Sequence, residues 1–462
     1  KTLCSIGLTV ALFSCGSEQS SGVSEQIKET PFASTYKAEK TDGFVIEHAT
    51  VLTGTGVKLT DASILVEGGV IKAVGNNFFM PADIKRIDAT GKWVTPGIID
   101  VHSHMGVYAS PSIESTQDGN EMTAPVTAEV WAEHSVWTQD PAMPLALAGG
   151  VTTFQVLPGS GNLIGGRGVT LKNVNAKNVQ AMKFPDAPHS LKMACGENPK
   201  RVYGGKGRLP STRMGNVAGY RAAWIKAEEY RAKWDKFEES LDSNSPLDKP
   251  SRDLQLDTLA EVLRGNILVH NHCYRAEEMM VMIDLAKEFD YKISTFHHAI
   301  EAYKVADVLA KEKICAAVWA DWWGFKHEAF DHVRENAAMV ENAQACAVIH
   351  SDSAIGIQHL NQETAKAMAA GNKNGLSIEP KDAIAWITSN AAKSIGIDKQ
   401  TGSIKENLMA DLVIWSHNPM SVYAKAEKVY IDGVLTYDRY DSDKQPVTDF
   451  DLGILDPEGE RL

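Results

Sequence analysis

His102 and His104 are separated only by Ser103 and follow the apolar run Val94-Thr-Pro-Gly-Ile-Ile-Asp-Val101. On a β-strand, residues two apart face the same side, so both imidazoles present to one space. Neutral imidazoles held this way can share a divalent cation, and the ligand type suits zinc, iron, nickel or copper. Other apolar runs end in the same kind of residue. Ile267-Leu-Val leads to His270, with His272 two residues later; Ile293-Ser-Thr-Phe-His297 leads to His298; and Val348-Ile-His-Ser351 leads to Asp352. Each places a polar donor where a strand passes into a loop. His270 and His272 share strand parity, so the pattern leaves open which of them would ligate.

The elements that must position these groups alternate. From Gly97 to about Gly402, strand-like runs such as Gly150–Leu157, Ile314–Trp319 and Ala345–Ile349 are separated by helical stretches such as Asn216–Leu241 and Ala276–Phe289. That is the pattern of βα units and a parallel barrel, in which strand C-termini distant in sequence converge on one cavity. Short alternating segments divided by Gly and Asp, from Phe44 to about Thr90, read as hairpins, and strands return from Asp411 to Tyr437.

In this order the segments resemble the amidohydrolase superfamily, in particular its imidazolonepropionase-like, metal-dependent branch. Phe44–Gly54 and Ile64–Gly75 are similar to the family's opening, Trp93–His104 to its first barrel strand, and Ala410–Trp415 with Val429–Val434 to its closing β-segment. The resemblance implies a (β/α)8 TIM barrel over 97–404, with a small β-sandwich built from 41–96 and 405–440. It implies a divalent metal, zinc first, as one ion or two. His102, His104, His270 and His298 would be ligands, with His272 the alternative to His270; Asp352 would bind metal and shuttle the proton. For the fourth-strand ligand, which decides between one ion and two, Glu197 in Ser190–Pro199 is the first choice, with Lys192 and Lys172 as carboxylated-lysine alternatives. The implied reaction is hydrolysis of a C–N bond in an amide, cyclic amide or peptide. Deamination of a nitrogen heterocycle is the competing chemistry. It fits less well, because the positions three residues after His270 and His272 are Cys273 and Arg275 rather than a glutamate. A binding protein on a retired barrel is the reading from outside enzymology.

Candidates for gripping a substrate are Arg275 beside Tyr274, Tyr203, and Arg167 in the glycine-rich run Pro158–Gly168. That run lacks the Gly-Lys-Ser/Thr ending of a nucleotide loop. Trp319, Trp322 and Trp323 could wall an apolar pocket.

Composition sets the bounds. The chain has 462 residues, 44% hydrophobic and 23% charged, with a net charge of -13. No basic stretch is present to neutralise phosphates, which excludes nucleic acid as the expected partner. A small-molecule amide or peptide is the expected partner instead, and a homo-oligomer is compatible with the composition. The first fifteen residues read as a bacterial lipoprotein signal with Cys15 as the lipidated anchor, and 16–40 as a flexible tether. The expected address is therefore outside the inner membrane, on the periplasmic side of the outer membrane. Residues 441–462 read as a polar tail. Of the six cysteines, Cys195, Cys273, Cys315 and Cys346 lie in or beside apolar runs. Free buried thiols are the default expectation there, with disulfides open in an oxidising compartment.

Overall fold

Two sheets carry the structure, a computed structural model that describes residues 32–446. The signal, Cys15 and most of the expected tether lie outside the described residues, as does the tail beyond Pro446. Everything below belongs to the unit that starts at Ser34.

The first sheet is shared by the two ends of the chain. Strands β1 (Phe44–Leu52), β2 (Lys58–Glu67), β3 (Val70–Gly75), β4 (Lys85–Asp88) and β5 (Trp93–Pro96) come from the N-terminal side. β14 (Leu412–Trp415), β15 (Ala426–Ile431) and β16 (Val434–Asp438) come from the C-terminal side. They join where β14 pairs antiparallel with β5, Leu412 opposite Pro96 and Trp415 opposite Trp93. The sheet folds over on itself. Phe44 and Tyr430 stand on strands separated by β5 and β14 in the hydrogen-bonded order, yet their ring centroids are 4.8 Å apart. The side chains enclosed between them, including Ile46, Val51, Ile64, Val94, Leu412 and Ile414, form a separate small core.

The second sheet is the barrel: β6 (Ile98–Ser103), β7 (Val151–Val156), β8 (Ile164–Lys172), β9 (His189–Ala194), β10 (Ile267–Cys273), β11 (Ile293–His298), β12 (Cys315–Val318) and β13 (Cys346–Ile349), hydrogen-bonded in sequence order. Each of these strands is buried along all or all but one of its residues, as expected where helices cover one face and the barrel interior the other. One strand departs from the parallel expectation. β8 runs antiparallel to both β7 and β9. The linker from Val156 to Ile164 is too short for a crossover, which takes a dozen or more residues, so the chain turns straight back. The seam between the first and last barrel strands is closed by the site itself. Asp352 donates its N–H to the His102 carbonyl at 3.0 Å, and Ser351 donates its N–H to the buried Asp100 carboxylate at 3.2 Å.

Two disulfides replace the expected free thiols, Cys195–Cys273 and Cys315–Cys346. Cys315 and Cys346 are register partners on β12 and β13, so strand pairing alone brings them face to face. The end of the stretch read as a tether is held in place: Ser34 donates its hydroxyl to Lys183 O at 2.6 Å, and Tyr36 its hydroxyl to Asp432 at 2.6 Å. Among the described residues no helix is long and apolar enough to cross a membrane.

Candidate metal centre

Histidines from β6, β10, β11 and the end of β13 converge at the C-terminal end of the barrel. Nitrogens of His102, His298 and His350 lie within 4.8 Å of one another, and so do ligand atoms of His102, His104 and Asp352. His104 Nε2 is 3.1 Å and His102 Nε2 3.7 Å from Asp352 Oδ1, while His298 Nδ1 is 4.0 Å from Asp352 Oδ2. His298 and Asp352 both have left-handed backbone, φ 67° and 51°. Non-glycine residues pay for that conformation, and such strain concentrates where a side chain must be aimed.

Neighbouring groups fix the outward-facing nitrogens. The His102 Nδ1 contacts His297 Nδ1 at 2.9 Å, and His297 Nε2 contacts His270 Nδ1 at 2.8 Å. His104 Nδ1 is satisfied by Leu157 O at 2.8 Å. Each arrangement leaves Nε2 of the first-strand histidines turned to the common space. Behind the strand, Asp100 accepts N–H bonds from His102 and Ser351, and burial pushes its carboxyl up to about 7.

Lys192 completes the ring. It is fully buried on β9, with Nζ 3.3 Å from His102 Nε2 and donating to Pro158 O at 3.0 Å. Burial brings its amine down to about 7, so a large share is neutral near pH 7. Burial likewise holds His102, His272 and His298 well below the ordinary imidazole range, with lysine and neighbouring imidazoles adding to the effect. Neutral imidazole is the ligating form. Asp352 goes the other way: burial would raise its carboxyl, but hydrogen bonding and charge from His104 leave it below its usual value.

Those donors fit a cation. Both ring nitrogens of His272 and His350, Nδ1 of His298 and Nε2 of His270 are buried without a hydrogen-bond partner in the structure. Unpaired buried polar atoms are costly, and several aimed at one space beside a carboxylate are what a divalent ion would satisfy.

The expected residues divide as follows. His102, His104, His298 and Asp352 are gathered. His272, whose ring centroid is 4.6 Å from that of His298, faces them. His270 has Nδ1 engaged with His297, its Nε2 being buried without a partner. Glu197 opens the helix Glu197–Gly204, half-buried, and is absent from both clusters of ligand atoms; Lys192 occupies the fourth-strand position. Lys172 lies elsewhere, between Asp411 and Asp432. Parity could not separate His270 from His272, and Glu197 lies beyond the end of β9, in the first turn of the following helix. The substrate-side candidates are engaged with protein. Arg275 pairs with Glu277 at 2.6 Å, Arg167 lies 4.2 Å above the Trp131 ring and donates to Thr258, and Tyr203 donates to Ala124 O at 2.6 Å. Sequence reasoning missed His350 and His297, although His350 stands two residues before Asp352, on the parity that served for His102 and His104. Trp319 does wall the site, stacked on His298 at 4.2 Å and on Trp322 at 4.7 Å.

The comparisons agree with this architecture. The model of the amidohydrolase family matches residues 227–436. A solved structure, an amidohydrolase from Thermotoga maritima MSB8, is 34% identical, covers 86% of this chain and 100% of its own, and superposes with a TM-score of 0.78. Among curated proteins, the amidohydrolase tasK of Hapsidospora irregularis is 31% identical over 400 residues, 81% of this chain and 40% of its own length. Imidazolonepropionase of Acinetobacter baumannii is 38% identical over 68 residues, 14% of this chain and 17% of its own. This chain thus spans well under half the length of those curated relatives. It belongs to the amidohydrolase family, on a TIM barrel with an added β-domain.

Proposed function

We propose that the protein is a metal-dependent hydrolase that opens a C–N bond in an amide, cyclic amide or peptide. His102, His104, His272, His298 and Asp352 would hold the metal, most simply zinc, with Lys192 as the fourth-strand ligand when its neutral amine takes up CO2. In that addition the amine nitrogen would bond to carbon and a proton would leave to solvent, giving a carbamate whose oxygens would serve as metal ligands. A bound metal of this type lowers the pKa of water from 15.7 to about 7 and polarises a carbonyl. Asp352, kept ionised by His104, takes up a proton at its carboxylate and returns it to the departing nitrogen. His297 holds His102 in the required orientation, and Trp319 shields the His298 face from water.

What supports this reading above all is the convergence of partnerless buried imidazole nitrogens with one carboxylate at the end of the barrel. Deamination is supported less: with His272 as the ligand, the position where such enzymes would need a carboxylic acid is Arg275, paired with Glu277. The reading includes export with a lipid anchor at Cys15; the two disulfides suit an oxidising compartment. The test is metal analysis of purified protein beside an assay panel of dipeptides, N-acyl amino acids and cyclic amides. One or two equivalents of a zinc-type metal per chain are expected, and His102→Asn should lose both metal and turnover. Metal-free protein that cannot be loaded, or turnover untouched by His102→Asn, overturns it.

A further inference from the structure

Beyond β12, residues 319–332 form a loop beside the site, and cations from the barrel pin its acids. Lys366 holds Asp321 at 3.0 Å, Arg213 pairs with Glu328, and Lys304 holds Asp331 at 2.8 Å. The loop's own lysine has no such partner. Lys326 donates from Nζ to Tyr274 Oη at 2.8 Å and Asn198 Oδ1 at 3.1 Å, both neutral, and no carboxylate lies within 4.0 Å of it among the described residues. Glu197 and Asp352 are near enough to be felt only at longer range.

Lys326 is half-buried and sits over aromatic faces, 5.1 Å from the centroid of Tyr274 and 5.2 Å from that of Phe325. The Tyr274 ring also lies 4.4 Å from His272 and 5.6 Å from His298. One aromatic residue therefore contacts both the ammonium and the metal-facing imidazoles. Phe325 and Trp322 meet edge to face at 5.8 Å, and Phe325 is 46% exposed, a large apolar surface left uncovered beside the cation. Burial also depresses the Lys326 pKa, the expected cost of holding an ammonium there without a counter-charge.

We propose that Lys326 is the receptor for a substrate carboxylate, and that the substrates are amides or peptides carrying a free carboxylate beside an apolar or aromatic side chain. The carboxylate would complete the coordination that Tyr274 and Asn198 begin, and the side chain would cover Phe325 and Trp322. With Tyr274 in contact with both Lys326 and His272, the span suits a carboxylate one or two residues from the scissile bond, given ~3.8 Å between consecutive Cα atoms. Arg275 and Arg167 are the rivals on charge, but each is already engaged.

This inference rests on the hydrolase reading but is tested separately, by binding. Calorimetric titration would compare 3-phenylpropanoate with 3-phenylpropanol, its neutral counterpart, neither of which has a bond to hydrolyse. A charge-assisted bond makes the acid roughly 10- to 100-fold tighter in the wild type. Lys326→Met and Lys326→Gln should abolish that preference while leaving alcohol binding within about 2-fold, and Lys326→Arg should restore it. In turnover, Lys326→Met should raise KM for an N-acyl-phenylalanine far more than it lowers kcat, and leave the matching carboxamide unaffected. An acid preference that survives both neutral variants, as direct coordination of the carboxylate by metal would give, overturns the proposal, and so does equal binding of acid and alcohol by the wild type. Lys326-dependent acid binding by protein that cannot be loaded with metal would sink the hydrolase reading while leaving Lys326 as a carboxylate receptor.

Discussion

Replacing Lys172 with methionine separates a structural lysine from a functional one. Lys172 ends β8, is wholly inaccessible, and places Nζ 2.8 Å from Asp432 and 3.4 Å from Asp411. Asp411 is held in turn by Thr401 at 2.7 Å and by the Asp432 N–H at 2.9 Å, while Tyr36 donates to Asp432. The cluster joins barrel strand β8 to the strand ends of the first sheet. Methionine keeps the stem and removes the cation, leaving two buried carboxylates facing each other. Breaking a buried pair from one side costs about 3–5 kcal/mol. With an unfolding entropy of roughly 2.1 cal/mol/K per residue, a cooperative unit of this length has ~0.9 kcal/mol/K, so the melting temperature falls by roughly 3–6 °C. The loss depends on pH. Burial first, and Asp411 second, already raise the Asp432 pKa. A carboxyl raised on folding makes the native state bind more protons, so stability falls as pH rises through the interval between the unfolded and folded values. The deficit of Lys172→Met should therefore narrow toward pH 5, and Asp432→Asn in the same chain should recover part of it. Scanning calorimetry at pH 5 and pH 8 measures this, with turnover normalised to folded protein and expected unchanged. A melting point within 1 °C of wild type at pH 8, or lost turnover at unchanged stability, refutes the reasoning.

Two further outcomes follow from the site and the barrel. Lys192→Met should abolish turnover while costing little stability, because it removes a buried amine that has only one carbonyl acceptor and a ring nitrogen beside it. 13C NMR in labelled bicarbonate should show a carbamate resonance in the wild type that the variant lacks, and full activity without that resonance counts against the assignment. For the disulfides, thiol alkylation of denatured, unreduced protein should leave Cys195, Cys273, Cys315 and Cys346 unlabelled. Replacing Cys315 and Cys346 together with serine opens a loop of sequence separation 31, worth about 3–4 kcal/mol in the chain-entropy account, readable by denaturant titration.

The barrel, its order of elements and most of the centre were legible because each depends on a local pattern. His102 and His298 stand at the ends of buried strands and His104 and Asp352 shortly beyond them, and strand parity with the strand-end rule was enough to point to all four. The failures share one cause: they turn on geometry between strands. His270 and His272 have the same parity, and what distinguishes them is the neighbouring strand: β11 places His272 opposite His297 and engages His270 Nδ1 through the His297 ring. Glu197 stands in the first turn of the helix after β9, whereas Lys192 lies on the strand itself with its Nζ beside His102. The antiparallel β8 was concealed by its glycines, which read as a loop although Ile164–Lys172 pairs on both edges. Gly159 in the same run is bound by close approach: a Cβ there would meet Asn120 Nδ2 at 2.0 Å, so the run shapes the Pro158 carbonyl that holds Lys192.

The same linker explains why the centre tolerates so much unpaired polarity. Turning β8 back on β7 sets the Pro158 and Leu157 carbonyls at the barrel mouth, one accepting from Lys192 and the other fixing His104. A crossover of ordinary length would have carried those carbonyls away, leaving Lys192 without an acceptor and His104 free to rotate. On the opposite wall, the His270–His297–His102 contacts do the equivalent work with side chains. These contacts orient His102, His104 and Lys192, while the nitrogens of His272 and His350 are left without a protein partner, so a ligand entering the common space would satisfy them.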